Sequence, residues 1–203
     1  MISKELLDIK YCMKDIYLRF LVLIFGISLF TPNLIMAYEE ANYETVHQAE
    51  QFDVRRYGER LVVQTSYGDQ NGGFRKLFNY ISGSNDSSEK IAMTIPVTQS
   101  DPGEGMVMQF YLPSEFDKEN APNPSDESLQ ISTIDAGYYA VIKFSGRSKE
   151  KSFNKHSEIL KKALLKENIQ IIGPSIKATY NGPFTLPRYR RNESMFLVNW
   201  DSK

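Results

Sequence analysis

Residues 74–98 read FRKLFNYISGSNDSSEKIAMTIPVT, and the fold turns on how this stretch is read. Phe74, Leu77, Phe78 and Ile81 recur at i, i+3, i+4 and i+7, which is one face of a helix. Ser82-Gly83-Ser84-Asn85-Asp86 then supplies turn-forming residues that stop it. Lys90 leads into Ile91-Ala92-Met93-Thr94-Ile95-Pro96-Val97-Thr98, an apolar, β-branched run. Pro96 has no N–H to give to a sheet, so this run is an edge, a strand start or a bulge. The helix face and the Met/Pro segment have two readings. They are two pieces of one core, or the walls of a groove.

Working outward, residues 52–57 and 60–67 read as strands separated by Gly58-Glu59, and a loop follows over 68–73. After the helix and the 90–98 segment, Met106–Leu112 alternates as a strand and closes a strand-strand-helix-strand-strand unit. The order then recurs. Strands are predicted over 129–134 and 137–144. A helix spans 149–167, with Phe153, Leu160 and Leu164 on one side. A short apolar piece covers 169–172, a strand 176–180, a Pro-rich loop 181–191 and a last strand 195–200. Residues 114–128 are a polar connection between halves and not a domain linker, because neither half is long enough to bury a good core alone. Two such units packed together make an α+β domain. Residues 38–51 are polar and read as an extended lead-in.

Three blocks carry a family resemblance: Phe52-Asp53-Val54-Arg55-Arg56-Tyr57-Gly58, the central stretch, and Tyr180-Asn181-Gly182-Pro183 followed by Arg191-Asn192-Glu193. In the centre the matching residues are Tyr80-Ile81-Ser82-Gly83-Ser84-Asn85 and Lys90-Ile91-Ala92-Met93-Thr94-Ile95-Pro96-Val97. In this order, and over about residues 50–199, they resemble the SOUL/haem-binding-protein family. The resemblance implies a distorted eight-stranded antiparallel barrel. It would be made of two pseudo-symmetric ββαββ units with two helices packed on the sheets, as in GyrI-like effector-binding domains. It also implies a single domain over 38–203 that binds haem or another tetrapyrrole non-covalently, without catalysis. The tetrapyrrole would lie along the first helix and the Pro-rich loop. On that analogy the candidate ligand-binding residues are Asn71, Phe74, Arg75, Phe78, Met93, Phe184 and Arg188. A tetrapyrrole needs a broad apolar wall and cations for its propionates, which Arg75, Arg188 and Arg191 would supply. The rival readings are a GyrI-like binder of other amphipathic small molecules and an envelope interaction protein with no small ligand.

The chemistry-bearing residues are few. The chain has two histidines. His47 lies in the polar lead-in and reads as solvated. His156 falls between Phe153 and Leu160 on the apolar side of the second helix. It is either a packed, hydrogen-bonded side chain or an axial haem ligand. Some vertebrate relatives have a histidine, proposed as an axial ligand, at the position of Arg56, so histidine ligation is in question here. No His, Cys and carboxylate spacing marks a metal site, and no motif marks an activated serine. Gly72-Gly73 before a helix either seats an anion or shapes the turn.

The 203 residues carry 24 basic and 25 acidic side chains, which leaves no electrostatic footprint for nucleic acid. At the N-terminus, Lys10, Lys14 and Arg19 precede the uncharged run Phe20–Phe30, and Ala37 follows. This pattern describes a secretory signal peptide over 1–37 cut before Tyr38, with a possible true start at Met13. The expected location is therefore the periplasm or the extracellular space. The alternative is a membrane anchor through the uncleaved segment. Cys12, the only cysteine, would be lost with the signal.

Overall fold

The computed structural model describes residues 38–68 and 70–200, without the side chains of residues 70 and 71. The signal-peptide reading, Met13 and Cys12 lie outside the described residues.

Among the described residues, eleven strands and two α-helices follow one another. Strands β1 (Glu39–Glu40), β2 (Tyr43–Gln48), β3 (Asp53–Tyr57) and β4 (Arg60–Ser66) precede helix α1 (Gln70–Ile81). Next come β5 (Thr94–Ile95), β6 (Val97–Ser100), β7 (Val107–Tyr111), β8 (Gln130–Ile134) and β9 (Gly137–Phe144). Helix α2 (Glu150–Lys166), β10 (Gln170–Thr179), a 3-10 turn at Pro187–Tyr189 and β11 (Asn192–Asn199) follow. Nine strands form one curled antiparallel sheet, a half-barrel, in the order β2-β3-β9-β11-β10-β6-β7-β4-β8.

Outward from the central β10–β6 pair, the two directions mirror each other. One runs β10, β11, β9, β3, and the other β6, β7, β4, β8. Each is the third, fourth and second strand of one ββαββ unit, followed by the first strand of the other. The units therefore exchange their first strands. Neither can complete its own sheet, which is why the repeat makes one domain. The ninth strand, β2, extends one edge by pairing with β3.

The lead-in reading of 38–51 is corrected by β1 and β2. Glu39–Glu40 runs parallel to Thr94–Ile95, and Tyr43–Gln48 is a ladder strand whose polar side chains gave no apolar alternation to read. The apolar piece at 169–172 and the strand at 176–180 are one long strand, with the register shifted between Ile171 and Ser175 around Gly173-Pro174. At Pro96 the run divides into β5 and β6 across a cis Ile95–Pro96 bond.

Each helix covers its own core. Leu77, Tyr80 and Ile81 of α1 pack with Val63, Ile91, Met108 and Phe110. Leu160 and Leu164 of α2 pack with Val54, Ala140, Ile142, Phe196 and Val198. On the other face of β9 and β11, the alternate residues Tyr139, Val141 and Met195 join Tyr57, Ala178 and Tyr180. Period-2 alternation of this kind serves both faces of one sheet.

Candidate functional site

The apolar stripe of α1 divides along its length. Leu77 and Ile81 are buried, whereas Phe74 and Phe78 are 41% and 49% exposed. The two readings of the stripe are thus both realised, one on each half of the same face. The exposed pair stacks ring on ring, with centroids 6.1 Å apart, and Phe74 rests edge-on against Phe110 at 5.2 Å. Together they form one wall of a groove of about 510 Å3. Met93, Ile95 and Met108 floor it, and Tyr180, Asn181 and Pro183 face α1 from the far side. That volume suits a small-molecule ligand. No charged side chain is among the described residues that line it.

The sequence candidates fall into three groups. Phe74, Phe78 and Met93 line the groove. Arg75, Arg188 and Phe184 are exposed and are not part of its wall; Phe184 stands at 98% exposure. The side chain of Asn71 lies outside what is described. Sequence reasoning missed Tyr38, Tyr180, Asn181 and Pro183. The resemblance set the ligand along the Pro-rich loop that holds Asn181 and Pro183 but picked Phe184 and Arg188 from it; the return of β10 to the centre of the sheet brings Tyr180–Pro183 opposite α1 instead.

Neither histidine lines the groove. The His156 ring stacks on Phe144 at 4.0 Å and 4°, and its Nδ1 lies 2.7 Å from the Ser152 carbonyl, so Nδ1–H donates there. His47 is not simply solvated. It sits between Phe52 and Trp200, with Nε2 3.4 Å from Glu167. No cluster of His, Cys, Asp and Glu able to hold a metal occurs among the described residues.

Beneath the groove lies a buried charge network joining the first and last motif blocks. Arg55 and Glu193 are both fully buried. The Arg55 fork donates to both Glu193 oxygens, at 3.0 and 3.2 Å. Tyr180 Oη donates to Glu193 at 2.6 Å, and Arg191 Nε does so at 2.9 Å. The other end of Arg191 forks onto Glu40 at 2.9 and 2.8 Å, tying β1 to the domain. Arg191 is thereby committed to carboxylates and is not a free cation for propionates. Burial works against the Glu193 charge, but Arg55, Tyr180 and Arg191 together hold its pKa below the ordinary carboxylate value. Burial, with Glu193 beside it, drives the Tyr180 pKa upward, so Tyr180 stays a neutral donor. Tyr57 is pushed up to about 12, chiefly by burial.

Apart from the groove-lining Met93, Ile95 and Val97, the central motif is architectural. Gly83 takes a left-handed φ of 112° at the end of α1. Asn85 Nδ2 donates to the carbonyls of Tyr80 and Glu89, and its Oδ1 accepts the Glu89 N–H. Thr94 Oγ1 donates to the Tyr111 carbonyl at 2.6 Å.

The family model described as "SOUL heme-binding protein" matches residues 38–197. The chain belongs to the SOUL heme-binding protein family. Curated relatives include human heme-binding protein 2, 29% identical over 164 residues, spanning 72% of this chain and 77% of that one. Pig (Sus scrofa) heme-binding protein 1 is 31% identical over 126 residues, spanning 58% and 65%. Among solved structures, the EcmrR C-terminal domain superposes with a TM-score of 0.52 at 13% identity, covering 73% of this chain and 97% of that one. A structure described as a hydrolase from Listeria innocua gives 0.54 at 7% identity, covering 75% and 94%. These structural likenesses show the shared fold alone. The α1 groove is more apolar in its lining than a second described cavity, which lies around Glu39, Glu59 and Arg60.

Proposed function

We propose that this chain is an exported binding protein that holds haem or a related tetrapyrrole, without covalent attachment, in the groove between α1 and the Asn181–Pro183 segment. The observation that carries this reading is the stacked, half-exposed Phe74–Phe78 pair facing an open apolar groove in a SOUL-family chain. The residues fit the body of a tetrapyrrole, because aromatic and thioether side chains supply the apolar contact such a ring needs. Its propionates would pair with Arg75 and Arg188 beyond the wall. The groove has no lining carboxylate, and the buried Glu193 is neutralised by Arg55 and Arg191. The site therefore favours anionic over cationic amphiphiles, and this sets the tetrapyrrole ahead of other amphipathic ligands. Binding is the whole of the proposed activity.

With both histidines outside the wall, apolar contact and propionate pairing should outweigh any iron bond. Haemin and metal-free protoporphyrin, titrated by absorbance and fluorescence, should bind within about tenfold of each other, or about 1.4 kcal/mol. Arg75→Ala and Arg188→Ala should weaken both ligands, and more so at low salt, where charge pairing is least screened. Binding of haemin alone, or binding indifferent to these changes, would overturn the assignment.

A further inference from the structure

Among the described residues nine large hydrophobics are exposed, three of them on the groove wall and three on the loop that continues from it. Tyr38, Phe74 and Phe78 line the groove, and Phe184, Leu186 and Tyr189 stand on the loop that continues from its Asn181–Pro183 wall. Phe184 is 98% exposed, Tyr189 65% and Leu186 56%. The loop is nonetheless held in shape. Arg190 donates from Nε to the Thr185 carbonyl at 2.7 Å and from Nη2 to the Pro183 carbonyl at 2.5 Å. Pro187 opens the 3-10 turn, and the Pro187 carbonyl accepts the Gly146 N–H at 2.9 Å. This last bond sets the segment 145–149 beside the loop, and its Ser148 also lines the groove.

The charge of this surface is one-sided. Residues 181–190 hold two arginines and no acid, and Glu150, the acid next to Lys149, pairs with Lys177. Arg147, Lys149 and Arg188 are exposed, and among the described residues none of them has a carboxylate partner. Arg188 lies over the Tyr189 ring at 4.7 Å. A protruding, braced aromatic on a surface with exposed cations does not need a shaped socket. It matches a lipid interface, where apolar side chains enter the acyl boundary, tyrosines sit at headgroup level and cations meet anionic phosphates.

We propose that the 182–190 loop, with Arg147 and Lys149, docks on an anionic lipid bilayer and sets the mouth of the groove against it. Phe184 and Leu186 enter the interface, and Arg147, Lys149 and Arg188 contact phosphates. A ligand that partitions into the bilayer then reaches the groove without crossing water. The docking stands apart from the identity of the groove ligand.

The test uses the full chain with Trp200→Phe, so that Phe184→Trp carries the only indole, and with no tetrapyrrole present. Vesicles are phosphatidylcholine alone or mixed with phosphatidylglycerol, with brominated acyl chains as quenchers. The indole at 184 should shift to the blue and be quenched in the mixed vesicles. Leu186→Trp should behave alike, while Val46→Trp, on β2, should not respond. Arg147→Gln and Arg188→Gln should each weaken vesicle binding about fivefold. Because the readout is local, association through residues 20–30 does not mimic it. If the indole at 184 or 186 keeps the emission of water-exposed tryptophan, whether or not the protein sediments with vesicles, the docking is wrong. Failure of the tetrapyrrole titration would leave it untouched.

Discussion

Glu193 shows how much a single buried side chain carries. It accepts from Arg55, Arg191 and Tyr180 at once, and through Arg191 it reaches Glu40. Glu193→Gln removes the carboxylate shared by Arg55 and Arg191, leaving Arg55 its longer 3.5 Å contact with Asp53 and Arg191 its fork on Glu40. It should destabilise the fold by about 3 kcal/mol, the low end of what breaking a buried ion pair costs, read by chemical denaturation. The pH dependence has a definite sign. The Glu193 pKa is lowered in the native state from an ordinary 4.5. Its stabilisation is therefore complete above that value and is lost as the pH falls below it toward the native pKa. Glu193→Gln should flatten this acid limb of the stability curve, and an unchanged limb would contradict the network. His156 acts more locally. His156→Ala deletes the stack on Phe144 and the bond to Ser152, and should cost about 1–3 kcal/mol in a melt. The haem spectrum should persist; its loss at unchanged melting temperature would make His156 a ligand.

Helix α1 is one element with two duties. Leu77 is fully buried and Phe78 half-exposed, one position apart. Leu77→Ala should destabilise by about 2–5 kcal/mol through the cavity it leaves. Phe78→Ala should cost about 1 kcal/mol or less, as befits a surface position, yet weaken tetrapyrrole binding. Measuring melts and titrations on both variants separates the duties. Equal effects of the two changes on stability would mean that the groove wall is merely core. Periodicity located this helix but could not divide its face, because neighbouring apolar positions differ only in what the sheet sets opposite them.

In the assembled domain, the exchange of β3 and β8 between the units makes the halves interdependent. The arm at Glu39–Glu40 is pinned by the β5 pairing and by Arg191. Mass spectrometry of protein from its native envelope should find an N-terminus at Tyr38. An intact Met1 or Met13 in cytosolic protein would sink the export proposal. No helix among the described residues is long and apolar enough to cross a membrane.

The amino-acid sequence alone determined the two helices, most strands, their recurring order and the family, because helical and strand periods and turn residues are local properties. The family resemblance also singled out Phe74, Phe78 and Met93, which line the groove. The fold buries Arg55 and leaves Arg56 at the surface. Nothing local distinguishes two adjacent arginines. Arg55 is buried because Glu193, 138 residues away, arrives on the same inner face. The polar strands β1 and β2, the joining of 170–179 into one strand and the uncharged groove wall were likewise decided by tertiary structure. Each depends on a partner supplied by a distant segment, and pairing across such separations leaves no periodic trace in either segment alone.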